Sequence, residues 1–314
     1  MGNDVPKVVV VGSLHYDIMV DASGRPRKGE TLPGRSWWPK CGGKGGNQAV
    51  AAASQGAHAR MIGAVGCDDF GRALLANLDA RGVDRSGVVT VDAASSGMSV
   101  AIFDDDGDYG AVIVSGSNLH IAPEQVAVDR LAGARVLVLQ SEAPETINAA
   151  AAASARELGA IVILNAAPAR PFSTDLPAAV DVLVVNAVEA EMLGGGAVTS
   201  LDQALAAARA LTAQFRAVLV TAGGDGVAFA DREGAEIRVP AVPVVVASTH
   251  GAGDAFVGTL AASLARGDEI RTAIETANKE AARIVSTPEA DRHQRQDAPQ
   301  RPRLPPAHPR RSGR

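Results

Sequence analysis

Short apolar runs alternate with helix-period segments along most of the chain. Runs rich in Val, Ile and Leu are typical of strands that are buried on both faces of a parallel sheet. The runs that predict strands are 7–11, 60–65, 136–139, 161–164, 180–185 and 218–221. Apolar residues at three- and four-residue spacing predict helices at 72–81, 146–158, 204–211 and 270–285.

This alternation predicts an α/β fold in which a doubly wound, mostly parallel sheet is flanked by helices on both faces. One domain covers residues 1–290 in this interpretation. Ligands of such sheets gather beyond the carboxyl ends of the strands. Polar side chains follow the predicted strands or their turns at that edge: Asp17, Asn47, Glu142, Asn165, Asn186, Glu189, Thr221 and Asp254.

Two segments fall outside this rhythm. Residues 21–40 are rich in Gly, Pro and Arg and contain both tryptophans, Trp37 and Trp38, which suggests short strands and loops packed at an interface. Residues 98–103 and 109–114 flank an Asp- and Gly-rich turn and predict a hairpin. The turn lacks the spacing and closing Glu of an EF-hand, so a solvated tip is favoured over a calcium site.

A glycine turn near residue 250 is the first candidate for chemistry. The run 244–246 predicts a strand, Gly251-Ala252-Gly253 a turn, and the residues after Asp254 a helix. The N–H groups at a helix start are unpaired and carry partial positive charge, so they favour an anion. A carboxylate beside an anion site indicates a base acting next to a phosphate, or otherwise an ordinary first-turn acid.

A second glycine-rich turn, residues 41–48, runs into an alanine-rich helix. It does not match G-x-x-x-x-G-K-[ST], because Gly45 follows Lys44 and no hydroxyl is placed for a metal. Four glycines followed by Asn47 favour close approach to a hydroxyl-rich ligand. No G-x-G-x-x-G opens a helix after the first strand, which argues against a dinucleotide-dependent oxidoreductase.

Amino-acid composition and charge exclude further classes of protein function. The formal charge is −5, but residues 291–314 contain seven Arg and two Asp, so the remainder is strongly acidic and does not favour nucleic-acid binding. That Arg- and Pro-rich tail is predicted to be disordered. The sequence has only two cysteines and no signal-peptide pattern, which predicts a cytoplasmic protein. It has no apolar run near about 18 residues, which predicts no membrane span.

The motifs resemble those of the ribokinase-like (PfkB) carbohydrate kinases, closest to the ribokinase branch. Residues 42–49, Gly-Gly-Lys-Gly-Gly-Asn-Gln-Ala, are similar to the N-terminal signature of that family, and residues 249–256 to its C-terminal signature. Residues 165–169 and the pair Asn186 and Glu189 support the resemblance, which spans roughly residues 7–287.

The resemblance implies transfer of the γ-phosphoryl group of ATP to a sugar hydroxyl with Mg²⁺, ribose being the leading substrate. Asp254 would be the base, and Gly251, Ala252 and Gly253 would hold the developing charge. Sugar ligands would be His15, Asp17, Gly42, Gly43, Lys44, Asn47, Glu142 and Asp254. The nucleotide would contact Asn186, Thr221, Gly223, Gly226, Gly253 and Asn278, with Asn186 and Glu189 near Mg²⁺, mostly through water. Segments 14–40 and 98–114 would form a β-sheet lid that pairs two copies into a homodimer.

Four positions depart from the ribokinase pattern. His15 replaces an Asn sugar ligand, so fructose, another sugar or a nucleoside such as adenosine are alternative substrates. Ser248 replaces an Asp tied to a monovalent cation, which makes activation by K⁺ doubtful. His250 replaces a small residue and Asn278 a nucleotide-side His, and the closing helix is missing after Val285. A non-catalytic sugar-binding protein on the same fold is the alternative from another class.

Overall fold

The computed structural model describes residues 7–105 and 109–287. Its strands are β1 (Lys7–Val11), β2 (His15–Ala22), β3 (Gly34–Gly42), β4 (His58–Gly66), β5 (Asp84–Val91), β6 (Met98–Phe103), β7 (Tyr109–Val114), β8 (Val136–Gln140), β9 (Ile161–Asn165), β10 (Val182–Asn186), β11 (Ala217–Thr221), β12 (Gly226–Asp231) and β13 (Glu236–Pro240). Its helices are α1 (Lys44–Ser54), α2 (Asp69–Ala80), α3 (Glu145–Glu157), α4 (Leu176–Ala179), α5 (Ala187–Met192), α6 (Leu201–Leu211), α7 (Ala252–Arg266) and α8 (Ile270–Ser286). Three short 3₁₀ helices span Gly116–His120, Pro123–Val126 and Gly223–Asp225.

Nine strands form the main sheet in the order β13-β12-β11-β10-β9-β8-β1-β4-β5. All pairings from β11 to β5 are parallel, while β12 and β13 add antiparallel strands at one edge. The mostly parallel α/β sheet predicted from the alternation of strands and helices is therefore confirmed.

Side-chain alternation along β1 shows how the sheet is covered on both faces. Val8 and Val10 pack into one buried cluster, which contains apolar residues of α1, α2, α7 and α8. Val9 and Val11 pack into the other, which contains residues of α3 and α6. All four valines are fully buried. Because successive strand residues point to opposite faces, an unbroken valine run is what a two-sided core requires.

A second, four-stranded sheet has the order β3-β2-β6-β7 and is built from the two segments that break the α/β rhythm. The predicted hairpin is present as the antiparallel pair β6–β7, and its tip, residues 106–108, lies outside the described residues. Trp38 stacks on Phe103 with ring centroids 6.1 Å apart, whereas Trp37 is 66% exposed.

The predicted strand at 244–246 is wrong. Residues 241–247 form no strand, and Val245 is 87% exposed. The segment is held instead by the N–H groups of Ala247 and Ser248, which donate to Val285 O at 2.9 and 3.2 Å. A β-branched run favours extended backbone, but pairing into a sheet also needs a neighbouring strand, and Pro243, which has no N–H to donate, directly precedes this run.

Strand β5 was not predicted from the sequence. It begins with Asp84, Arg85, Ser86 and Gly87, and it lies at the edge of the main sheet, where its residues are only half covered. Because the strand begins with polar residues and a glycine, its sequence lacks the apolar pattern from which strands are predicted. The tail at 291–314 lies outside the described residues. Within the described ranges, no helix is both long and apolar enough to cross a bilayer.

Candidate active site

The starts of helices α1 and α7 lie against each other at the carboxyl edge of the main sheet. Gly43 is the N-cap of α1 with φ 84°, and Gly251 is the N-cap of α7 with φ 76°, both in the left-handed region. Ala252 and Gly253 follow as the first turn of α7. Among the described residues, the N–H groups of Gly251 and Gly253 find no hydrogen-bond acceptor. The start of α7 therefore presents free donors.

Glycines of the first turn let α1 pack directly on the loop between β1 and β2. A Cβ on Gly43 would lie 2.7 Å from His15 N, and one on Gly45 would lie 2.7 Å from Ser13 N. A Cβ on Gly42 would lie 2.0 Å from Asp17 Oδ2. The glycine-rich signature is thus required by the chain's own backbone, in addition to any contact it makes with a ligand.

The carboxylate of Asp254 lies in the first turn of α7 and is held by two side-chain amides. Asn47 Nδ2 donates to Oδ2 and Gln48 Nε2 donates to Oδ1, each at 2.9 Å. Burial raises the pKa of Asp254 above its usual value, and nearby Glu142 raises it further. The charge of Lys44 and the two amides act in the opposite direction. Asp254 is consequently fixed in place and retains more basicity than a solvated aspartate.

Glu142 connects the start of α1 to the β1–β2 loop. Its Oε2 accepts from Lys44 N at 3.0 Å and from the Ser13 hydroxyl. His15 Nδ1 lies 3.9 Å from the same oxygen, and His15 is 3% exposed. His15 Nε2 has no hydrogen-bond partner within the described ranges.

Asp17 lies on β2, close to this group. Its side chain accepts a hydrogen bond from the Ser99 hydroxyl at 2.5 Å. Burial raises the pKa of Asp17, and the bond from Ser99 together with the neighbouring His15 and Lys40 opposes that rise. This side of the site therefore has a buried polar side chain, His15, and two half-buried carboxylates, Asp17 and Glu142.

Asn186 and Glu189 form a reciprocal cap at the start of α5. Asn186 N donates to Glu189 Oε2 and Glu189 N donates to Asn186 Oδ1, each at 2.9 Å. Burial raises the pKa of Glu189, while the bond from Asn186 and the charge of Lys44 oppose the rise. Lys44 thus acts electrostatically on both Asp254 and Glu189.

A cavity of about 130 Å³ joins these groups. The predicted site residues that line it are Lys44, Asn186, Glu189, Thr221, Gly251, Gly253 and Asp254. Asn47 and Glu142 join it through their bonds to Asp254 and Lys44 N. The remaining predicted sugar ligands lie beside it: His15 and Asp17 on β2, Gly42 at the end of β3 and Gly43 at the N-cap of α1.

Three predicted nucleotide residues lie outside the lining of this cavity. Gly223 and Gly226 flank the turn after β11 with φ 55° and 117°. A Cβ on Gly226 would lie 2.1 Å from Val239 O, so the β12–β13 pairing itself requires glycine there. Asn278 is 8% exposed and donates to Pro240 O at 2.9 Å, which ties α8 to the end of β13.

A larger cavity of about 210 Å³ lies at the β5 edge of the main sheet. Its polar lining is already engaged, since Arg60 pairs with Asp84 at 2.7 Å. The Gln125 amide there donates to the carbonyls of Gly63 and Gly87. The smaller cavity, with its half-buried carboxylates and free N–H groups, is therefore the candidate active site.

Sequence reasoning missed the buried amides behind Asp254. Gln48 donates to both Asp254 and Asn165, and Gln140 donates to Gln48. Gln48 belongs to the N-terminal signature and Gln140 ends a predicted strand, but their residue types alone indicated no partner. Ser13, which binds Glu142, was missed for the same reason.

Comparison with known proteins identifies the family. Residues 5–296 match the model of the pfkB family carbohydrate kinases. The chain belongs to this family. It is therefore a phosphotransferase that acts on a sugar hydroxyl.

Named relatives of this pfkB kinase agree with the family match. The ribokinase of Bacillus subtilis (strain 168) is 34% identical over 280 residues, which are 88% of this chain and 92% of that protein. The deoxyribokinase of Salmonella typhi is 32% identical over 274 residues, 86% and 89% of the two chains. The structure of Arabidopsis thaliana ribokinase complexed with ribose and ATP matches with a TM-score of 0.80 at 27% identity, over 93% of this chain and 98% of that one.

The packing of Gly43 can be tested against a matched glycine. Gly43 and Gly56 have φ of 84° and 82°, but a Cβ on Gly56 meets nothing within 4 Å. Gly56→Ala should lower the free energy of unfolding by about 1–3 kcal/mol through backbone strain. Gly43→Ala should cost at least about 1 kcal/mol more, because its Cβ also collides with the β1–β2 loop. Urea unfolding measures both, and equal losses would contradict the packing argument.

Proposed function

We propose that this pfkB kinase transfers the γ-phosphoryl group of ATP to a hydroxyl of a pentose, with ribose as the leading substrate. The observation that carries the proposal is the half-buried Asp254 carboxylate in the first turn of α7, directly beside the free N–H groups of Gly251 and Gly253. Similarity to ribokinases, among them one whose structure was solved with ribose and ATP, supports the choice of both substrates.

Asp254 acts as the general base in this proposal. It takes the proton of the attacking sugar hydroxyl as the bond from oxygen to phosphorus forms and the bond to the leaving ADP oxygen breaks. Its raised pKa strengthens it as a base, and its amide partners keep the carboxylate in one orientation. Proton removal by a positioned base of suitable pKa is an efficient form of general base catalysis.

The start of α7 stabilises the charge on the transferred group. Gly251 and Gly253, on either side of Ala252, supply free N–H groups together with the positive end of the helix dipole. Because phosphoryl transfer demands mainly positioning and charge stabilisation, fixed donors of this kind are the suitable contribution.

Half-buried polar groups around α1 would bind the sugar. Carboxylates and amides accept from and donate to hydroxyl groups, which suits Asp17, Asn47 and Glu142. Lys44 lines the cavity between Asp254 and Glu189, where its charge faces both the sugar and the phosphates. Close backbone at Gly42 and Gly43, together with buried His15, completes the proposed sugar side.

ATP would lie from the start of α7 along Asn186 and Thr221 toward Gly223 and Gly226. Asn278 holds the edge of this proposed nucleotide side through its bond to Pro240 O.

K⁺ activation is doubtful, because Ser248 offers a hydroxyl where a carboxylate would bind a cation.

The donor set fits Mg²⁺. Within the described ranges no cluster of three or more His, Cys, Asp or Glu residues could hold a metal. Mg²⁺ keeps several waters and takes few protein ligands beyond substrate phosphates, so a sparse site suits it. Glu189 uses only Oε2 for its cap bond and so keeps Oε1 for a water of the ion, with Asn186 beside it. When bound, the ion neutralises charge on the phosphate oxygens.

A 2-deoxy sugar is the second candidate substrate. The deoxyribokinase of Salmonella typhi covers nearly as much of the chain as the ribokinases do, and His15 replaces the Asn of the ribokinase branch. Fructose, adenosine and binding without turnover remain weaker alternatives.

Two observations favour the cytoplasm as the location of the protein. The proposed reaction consumes ATP, and the two cysteines, Cys41 and Cys67, are free thiols.

A homodimer through the small sheet is part of the proposal. Val112, Ile113 and Val114 on edge strand β7 are 69%, 56% and 51% exposed. Successive strand residues point to opposite faces, so both faces of β7 are uncovered. An exposed apolar edge strand favours association with another surface, and the small sheet of a second copy of the chain would bury it.

Replacement of Asp254 tests the reaction. ADP release should be measured with ribose, 2-deoxyribose, fructose and adenosine, with and without K⁺. We expect ribose or 2-deoxyribose to give the highest kcat/KM. Asp254→Asn should lower kcat by about a hundredfold or more while ATP still binds, because only the base is lost. Wild-type binding of sugar without ADP release would favour the non-catalytic alternative, and full activity of the variant would contradict the mechanism.

Replacement of Trp37 tests the dimer. Strand pairing places Trp37 of β3 on the same face of the small sheet as Val112 and Val114. Trp37→Glu therefore places a charge on the proposed interface and should shift the chain from dimer to monomer in analytical ultracentrifugation. Leu158→Glu, at a half-exposed apolar position just after α3, is the matched control and should leave the dimer intact. A monomeric wild type, or an unchanged Trp37→Glu variant, would contradict the proposed interface.

A further inference from the structure

Two fully buried glutamines lie in line behind Asp254. Gln48 is in the first turns of α1 and Gln140 ends β8, and both side chains are 0% exposed. Gln140 Nε2 donates to Gln48 Oε1 at 2.8 Å, and Gln48 Nε2 donates to Asp254 Oδ1 at 2.9 Å. The proposed function uses Gln48 only as one of the two amide partners of Asp254, and it assigns no role to Gln140.

The direction of these bonds follows from the chemistry of Asp254. An ionised carboxylate only accepts hydrogen bonds, so Gln48 must turn its NH₂ group toward Asp254. The carbonyl of Gln48 then faces Gln140, which must donate in turn. A flipped Gln48 would instead direct its carbonyl oxygen at the carboxylate.

Gln140 gives up a hydrogen bond to hold this orientation. Its Oε1 is buried and has no partner among the residues that the structure describes. It lies tightly against Gly12, where a Cβ would come within 1.7 Å of it. A buried amide oxygen without a donor is costly, so the orientation is maintained by what the NH₂ end does for Gln48.

We propose that Gln140 and Gln48 form an amide relay that orients Asp254 and stabilises its ionised form for proton removal. The inference rests on the proposed function, in which Asp254 is the base. Neither glutamine touches the reacting atoms, so both are positioning residues. Hydrogen-bond networks of this kind are fully effective only when every member keeps its direction.

Other groups also face Asp254 and must stay constant in a test. They are Lys44 on α1, Glu142 after β8 and Glu189 on α5, while Asn47 holds the second carboxylate oxygen. Methionine has nearly the length of glutamine but lacks its amide. Gln48→Met and Gln140→Met therefore remove the relay and leave all four neighbours in place.

The test compares four variants with the wild type in an ADP-release assay across pH. They are Gln48→Met, Gln140→Met, the double variant, and the control Gln125→Met, whose amide binds backbone at the β5 edge far from Asp254. Thermal unfolding confirms that each is folded. If Gln48→Met does not fold, Gln140→Met still tests the relay, because it does not touch Asp254.

We expect each relay variant to lower kcat by about tenfold and to raise the acidic pKa of the kcat profile by about one unit, since a hydrogen bond to the ionised form is lost. KM for ATP should stay within about twofold. The double variant should be no worse than Gln48→Met, because both changes break one chain of bonds. Gln125→Met should keep the wild-type profile.

The relay would be overturned if the losses of kcat in the two single variants multiply in the double variant. It would also be overturned if the acidic limb of both single variants stays at the wild-type pH. Either result would leave the proposed function standing. Absence of turnover by the wild type with every sugar would overturn the proposed function and, with it, the relay.

Discussion

The site depends on holding one half-buried carboxylate, that of Asp254, where the starts of two helices meet. The start of α7 favours a negative charge, and α1 supplies Asn47 and Gln48 as donors. This arrangement is possible only because α1 packs tightly on the β1–β2 loop. Gly43 and Gly45 permit that contact, since a Cβ at either position would collide with backbone. The glycines and the amides thus serve the same carboxylate.

Burial of Asp254 favours function at a cost in stability. Burial raises the pKa of Asp254 in the folded state, so folding favours the protonated carboxyl. The protonated carboxyl stabilises the fold fully below the pKa of the unfolded chain, and this stabilisation is lost as the pH rises through the folded pKa. Lys44 and the two amides offset part of that cost. Catalytic groups are commonly kept in such unfavourable environments because chemistry needs the altered pKa.

Much of the fold could be predicted because its strands are unbroken apolar runs. Val8 to Val11 illustrates this, since a strand buried on both faces needs an apolar residue at every position. The run at 244–246 shows the limit, because β propensity cannot reveal whether a neighbouring strand exists. Strand β5 was missed for the opposite reason, since its polar start reflects an edge position that only the assembled sheet defines. The signature motifs located Asp254, but not Gln140, which lies 92 residues from Gln48 in sequence and meets it only after folding.

The pH dependence of kcat/KM for ribose and its loss in Asp254→Asn test the central claim most directly. The account predicts an acidic limb with an apparent pKa above 3.8, the ordinary value for aspartate, because burial raises the pKa of Asp254. The limb should vanish from the residual rate of Asp254→Asn. A limb at or below the ordinary value, or one that persists in the Asn variant, would contradict the account.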